Sequence, residues 1–204
     1  MSEDEAKELI KNSLKFSNDD ISKLNTFRSM LLDYNIRYNL ISKSTENLIW
    51  SRHILDSAQL IKFFKMEDGA SLVDLGSGAG FPGIVLAIFN KNLKFHVKLY
   101  EKSPIKRDFL TKVKIKLNIH FEIGENVYND TISADLIVTR AFKKLDQVIK
   151  ISREKCKKPH KIIILKGKNA QAEINNVSLA PNYSYKLENS ITDVDSKIIV
   201  IKVR

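Results

Sequence analysis

The 204-residue chain contains one cysteine, Cys156, one tryptophan, four prolines and seven glycines. A lone cysteine makes no internal disulfide and no cysteine-cluster metal site, so no metal is expected; it suits a reducing compartment such as the cytoplasm. Cys156 itself reads as a small buried hydrophobe. No apolar run approaches the roughly 18 residues of a membrane span, so no membrane partner is expected. The opening residues Met1-Ser2-Glu3-Asp4-Glu5 are acidic and lack an apolar signal core, which argues against secretion. No internal repeat, low-complexity linker or long exposed apolar stripe stands out, and the last point favours a monomer. Acids are few beside bases, 24 against 34, which leaves a net charge of +10 and a pI near 9.5. That excess suggests a polyanionic partner, nucleic acid first. Enrichment in Lys, Asn and Ile through genome base composition explains it equally well.

What is present divides into two regions. Residues 1–65 read as helical. Glu5 to Phe16 carries an apolar stripe at Leu9, Ile10 and Leu14. Ser17-Asn18-Asp19-Asp20 is an N-cap signal for a second helix, with Ile21, Leu24, Phe27, Leu31, Tyr34 and Tyr38 on one buried face. A short helix from Ser44 through Trp50 and another from Ile54 to Phe64 follow. Met66-Glu67-Asp68-Gly69 is a turn into residues 66–204, where strands and helices alternate. Strands are expected at Ser71–Leu75, Phe95–Glu101, His120–Ile123, Ala134–Thr139, Lys161–Lys166, Tyr183–Glu188 and Lys197–Val203. Helices are expected at Pro82–Phe89, Ser103/Pro104–Leu117 (stripe Ile105, Phe109, Val113, Leu117), Leu145–Cys156 and, weakly, Gln171–Val177. Five strand–helix units imply a parallel α/β sheet. The last two strands leave no room for a crossover helix, so the final strand should insert antiparallel.

The chemistry concentrates in Leu72-Val73-Asp74-Leu75-Gly76-Ser77-Gly78-Ala79-Gly80-Phe81-Pro82-Gly83. A strand, a glycine-rich bend and a helix start usually hold a nucleotide-like cofactor at the end of the first strand of such a sheet. Two cofactor classes fit. Gly78 to Gly83 matches the dinucleotide fingerprint, and Gly76 to Gly80 matches the looser loop of S-adenosyl-L-methionine (AdoMet) methyltransferases. Asp74 would repel a pyrophosphate and welcome a cationic aminoacyl group. Pro82 also removes an N–H that a pyrophosphate would use. The terminal strand pair suits a Rossmann-like, seven-stranded AdoMet-dependent methyltransferase fold with an N-terminal helical extension. Glu101, 21 residues beyond Gly80, is placed to accept ribose hydroxyls in either class, and Asn126 and Val127 to contact adenine. No Asn/Asp-Pro-Pro-aromatic motif for exocyclic amines follows the fourth strand, which continues as Thr139-Arg140-Ala141-Phe142. Cys156 lies too far along to serve as a cytosine C5 nucleophile. A ring nitrogen with a free lone pair, such as guanine N7, needs neither device. Its methylation rests on positioning rather than on a catalytic base.

With Trp50-Ser51-Arg52-His53-Ile54-Leu55-Asp56-Ser57 added, the chain resembles the GidB family of bacterial 16S ribosomal RNA (guanine-N7) methyltransferases. Asn39-Leu40-Ile41, Asp74 to Gly83, Lys106-Arg107-x-Phe109-Leu110, Thr139 to Phe142 and Lys166-Gly167 carry the resemblance. It implies a cytoplasmic enzyme acting on 16S ribosomal RNA or the small ribosomal subunit with AdoMet. It places cofactor contacts at Gly76, Phe81, Asn126-Val127 and Arg140. The family commonly has Ala-Glu at the Asn126-Val127 pair and Ser at Thr139. Gly78 and Gly80 belong to the same cofactor loop. Arg140, Lys166, Arg52 and His53 are candidate substrate-side residues, His53 more in packing and hydrogen bonding than as a base. Lys102, Lys106, Arg107, Lys112, Lys114 and Lys116 read either as a phosphate-facing ridge or as a solvated helix face. Two alternatives stand beside this reading: an NAD-dependent oxidoreductase, and a non-catalytic RNA-binding ribosome assembly factor.

Overall fold

A computed structural model describes all 204 residues. Seven strands form one sheet in the order β3-β2-β1-β4-β5-β7-β6. The strands are β1 (Ser71–Leu75), β2 (His96–Tyr100), β3 (Glu122–Gly124), β4 (Leu136–Arg140), β5 (His160–Lys166), β6 (Tyr183–Asn189) and β7 (Lys197–Val203). β1 to β5 run parallel, and β7 inserts antiparallel between β5 and β6, as the missing crossover helix requires. The strand order reverses between β1 and β4, which opens a crevice beyond their C-terminal ends.

The period-2 alternation of the strands sends side chains to two cores. Leu72 faces a core of 38 buried residues, shared with α4 (Gly83–Phe89) and α5 (Pro104–Leu117). Val73 and Leu75 face a second core of 18, closed by α6 (Leu145–Lys155) and α7 (Ala170–Asn175). Residues 1–65 lie over the first core and contribute Ala6, Leu24, Phe27, Trp50 and Leu60 to it. They comprise α1 (Glu3–Glu8), α2 (Asn18–Tyr38), a 3₁₀ segment at Lys43–Leu48, and a helical run from Ile49 to Phe63 that contains α3 (Asp56–Ala58). Because these helices cover it, α4 is buried on every side from Gly83 to Ile88, which explains its wholly apolar sequence.

Several expectations shift. The first helix starts at Glu3, capped by Ser2 and Glu5, and its last turn at Leu9–Ser13 widens to a π-helix. Ile49–Phe63 is one run, wound π at Ile49–Leu55, α at Asp56–Ala58 and 3₁₀ at Gln59–Phe63, where two separate helices were expected. Wide turns of this kind recur at functional sites, and this one carries Arg52 and His53. α4 begins at Gly83, with Pro82 as its N-cap. β3 starts two residues later, and ends one residue later, than its apolar pattern suggests. Tyr38 and Ile105 are exposed, at 44% and 48%, although their spacing placed them on buried stripes. Tyr38 is the last residue of α2, and Ile105 sits in the first turn of α5, where each helix runs past its partner.

Candidate functional site

Beyond the ends of β1, β2 and β4 lies a cleft of about 470 Å³. Its floor is the bend after β1. Gly76 and Gly78 adopt positive φ, at 73° and 58°, a conformation cheap only for glycine. A side chain at Gly76 would run into Phe142, whose Cδ2 would stand 2.3 Å from the added Cβ. At Gly78 no atom lies nearer than 3.9 Å to that position, so the residue opens on free space. Glu101, just past β2, binds this floor: Oε2 accepts the Gly78 N–H at 2.8 Å and Oε1 accepts the Ser103 N–H at 2.8 Å. Each oxygen keeps a further lone pair for a ligand hydroxyl.

The opposite wall is built by Arg140, at the end of β4, and the residues from 1–65 that gather round it. Its guanidinium donates to the Arg52 carbonyl at 3.0 Å and to His53 Nδ1 at 2.8 Å. It also lies 3.7 Å from Asp56 and 5.0 Å from the centre of the Phe81 ring. His53 stacks on Phe81 at 5.1 Å, and its Nε2 bonds Thr45 Oγ1 at 3.0 Å. Since Arg140 only donates, His53 Nδ1 is the acceptor and Nε2 carries the proton. Burial, then the charges of Arg140 and Arg52, push the His53 pKa down to about 3. The imidazole is therefore neutral near pH 7. Burial likewise pulls the Arg140 guanidinium below its ordinary value, opposed by Asp56 and Asp74. Past Arg140, Ala141 takes φ 51° without being glycine, a strain of roughly 1–3 kcal/mol that recurs at ligand sites.

Of the residues singled out from sequence, Gly76, Gly78, Phe81, Glu101, Val127, Arg140 and His53 line the cleft. Asp74 does not. It points to the α4 face, fully buried, with Oδ2 accepting the Gly83 N–H at 2.8 Å and Oδ1 unpartnered. Burial pushes its pKa up to about 7. It braces the start of α4 from beneath the cleft lining. Gly80 is also absent from the lining: at φ 100° it lets Ile84 and Leu110 approach, so it serves packing between α4 and α5. Asn126 turns its Oδ1 to the Tyr128 N–H at 3.2 Å, capping a short 3₁₀ turn. Arg52 points outward and pairs with Asp193 at 3.6 Å. Lys166 is clipped to Glu173 at 2.8 and 3.0 Å and to the Lys143 carbonyl at 3.0 Å. It ties β5 to α7 and is not free for a phosphate.

Thr139 keeps a hydroxyl where it is needed, donating to the Leu75 carbonyl at 2.8 Å. The basic series along α5 divides. Lys102 and Lys106 line the cleft. Arg107 pairs with Glu125 at 3.3 Å, Lys112 pairs with Asp108 at 2.8 Å, and Lys114 lies over Phe121. Sequence reasoning missed Leu40, Ile41, Thr45, Glu125, Ala141 and Phe142 as cleft residues. Asn39-Leu40-Ile41 and Ala141-Phe142 were signalled as pieces of the resemblance, but not as walls of the site.

Comparison with known proteins agrees with this geometry. A family model described as GidB, rRNA small subunit methyltransferase G, matches residues 20–199. A curated relative from Orientia tsutsugamushi (strain Ikeda), "Ribosomal RNA small subunit methyltransferase G", is 36% identical over 188 residues, covering 92% of each chain. Among solved structures, a SAM-dependent methyltransferase from Aquifex aeolicus superposes with a TM-score of 0.58 at 12% identity, covering 86% of this chain and 97% of that one. A point mutant of MtNAS in complex with S-adenosylmethionine gives 0.59 at 14% identity, covering 100% and 84%. At such identities the last two speak for the fold alone.

Proposed function

The chain belongs to the GidB family of small-subunit ribosomal RNA methyltransferases, and on that premise we propose that the cleft between β1, β2 and β4 binds AdoMet and presents its methyl group to N7 of a guanine in 16S ribosomal RNA. The NAD-dependent and non-catalytic alternatives give way to that membership. The observation that carries the site is the Gly78–Glu101 clamp on a floor of left-handed glycines.

The residues present fit the cofactor. Glu101 has acceptor capacity left for two ribose hydroxyls, and Val127 offers an apolar edge for the adenine. Gly78 leaves space at the loop for the aminoacyl end. When bound, AdoMet supplies an electrophilic methyl group on a sulfonium sulfur. The accepting atom, guanine N7, carries a lone pair and no proton, so no side chain has to remove one. The chain's part is to hold, align and exclude water. Neutral His53 fits that division: both ring nitrogens are engaged, and it orients Arg140 at the wall of the cleft. The net charge of +10 supports the RNA as polyanionic partner. The buried, unpaired Cys156 supports action in the cytoplasm. We take the acting species to be a monomer.

Incubation with methyl-labelled AdoMet and unmodified small subunits, followed by mapping of the labelled base, tests the reading. Label at a single guanine N7 is expected. Label on another base type, or none, overturns it. Gly78→Asp should abolish AdoMet binding in calorimetry, because it sets a carboxylate and backbone strain against Glu101. Unchanged affinity would overturn the loop assignment.

A further inference from the structure

Four ring-bearing side chains line the cleft: His53, Phe81, Tyr100 and Phe142. Phe81 and Tyr100 are buried, and His53 is committed to other partners. Phe81 is 2% exposed and enclosed by His53, Phe27 and the Arg140 guanidinium at 5.1, 5.2 and 5.0 Å. His53 is stacked on Phe81, with both nitrogens bonded. Tyr100 is 4% exposed, carries Lys98 over its ring at 4.9 Å, and donates its hydroxyl to Asp130 at 2.6 Å. Phe142 differs. It is half-buried, rests against the second core, and bears on Gly76, where any side chain would displace it. The left-handed Ala141 fixes its approach.

We propose that Phe142 is the platform on which the target guanine stacks when it enters the cleft. The proposal rests on the reading of the cleft as a methyl-transfer site. In an RNA helix the N7 edge lies in a deep, narrow groove that protein groups cannot enter. An enzyme acting on a base therefore takes it from its stack and loses the stacking energy. An aromatic face in the pocket restores part of that loss and tolerates any base, because every base has a π-face. Phe142 supplies such a face beside Gly76, on the loop assigned to the cofactor. Lys102 and Lys106 stand on the same lining, where they can meet the flanking phosphates. The half-buried Lys143 ammonium lies over the Phe142 ring, 5.6 Å from its centre, so the incoming base takes the place of this cation on the ring face.

The test compares wild type with Phe142→Leu, Phe142→Ala and Phe142→Trp, measuring AdoMet affinity by calorimetry and methylation kinetics on unmodified small subunits. Leu keeps apolar bulk over Gly76 but has no π-face. F142L should raise KM for the subunits roughly tenfold, in line with the worth of one stacked base, with AdoMet affinity unchanged, and F142A should raise KM at least as far. F142W should restore most of the loss. Wild-type KM in F142L, or AdoMet binding weakened in step with turnover, overturns the platform while leaving the methyltransferase reading intact. Wild-type protein that binds AdoMet but leaves the RNA unmethylated overturns both.

Discussion

His53 stays neutral well below neutral pH, and this shapes how the protein meets acid. In the unfolded chain the imidazole protonates near 6.5, in the folded state only at about 3. Between these values the unfolded state holds more protons, so the contribution of His53 to stability is full above pH 6.5 and is lost as pH falls toward 3. Asp74 works in the opposite sense: raised to about 7, it binds its proton more tightly in the folded state and favours folding as pH falls from 7 to 4. The thermal midpoint of His53→Gln should therefore fall less between pH 6.5 and 4.5 than that of wild type. Parallel curves would contradict the neutral, Arg140-bonded imidazole. At this scale the sequence was a partial guide. Glu101 and Gly78 were legible as cleft residues because a carboxylate just past the second strand and a positive-φ bend each draw on few residue types. The partners of Asp74 and Lys166 were not legible, because a charge does not announce its partner. Gly83 and Glu173, which take them out of the cleft, are brought there only by folding.

Between β6 and β7 a loop reaches back to the long helical run and steadies the cleft wall. Ser190 Oγ accepts from Gln59 Nε2 at 3.0 Å, the Ile191 N–H donates to Gln59 Oε1 at 2.9 Å, and Thr192 Oγ1 donates to Asp56 Oδ1 at 3.1 Å. Asp56 in turn lies beside Arg140. Thr192→Val keeps the shape and deletes one donor to a largely buried carboxylate. It should cost about 1.5–3 kcal/mol in urea unfolding, the range for hydrogen bonds to charged groups, with the m-value unchanged. A loss under roughly 0.5 kcal/mol, the scatter of neutral surface changes, would sink the idea that this loop anchors Asp56. Strand and helix identities were legible here because alternation and 3.6-residue stripes are local. The π and 3₁₀ windings of Ile49–Phe63 were not, since packing against the sheet and Arg140 sets them.

Across the whole molecule, the helices of residues 1–65 and the sheet share one core, so the cleft has a roof as well as a floor. Many acids are already engaged in ion pairs with neighbouring bases, Asp68 with Lys94 and Asp135 with Lys158 among them, which leaves the positive excess to solvent and to the partner. Lys102 and Lys106 form no ion pair and line the cleft. Binding to small subunits should weaken steeply with salt. Reversing each of these two lysines to Glu should weaken binding to all RNA sequences alike. The magnitude of the logarithmic salt slope should drop by roughly one for each lysine that meets a phosphate. A slope unmoved in the double variant would remove them from the RNA face.

The sequence by itself determined the strand–helix alternation, the antiparallel return of the last strand, the glycine bend and the carboxylate after β2. These depend on residue periodicity and on backbone angles that few residues adopt. Only the tertiary structure decided which groups face the cleft. It turned Asp74 under α4 and Lys166 onto Glu173, and it brought Thr45, His53 and Phe142 around one cavity. Those placements follow from contacts between segments far apart in the chain, where packing and the pairing of buried charges, not local pattern, select the arrangement.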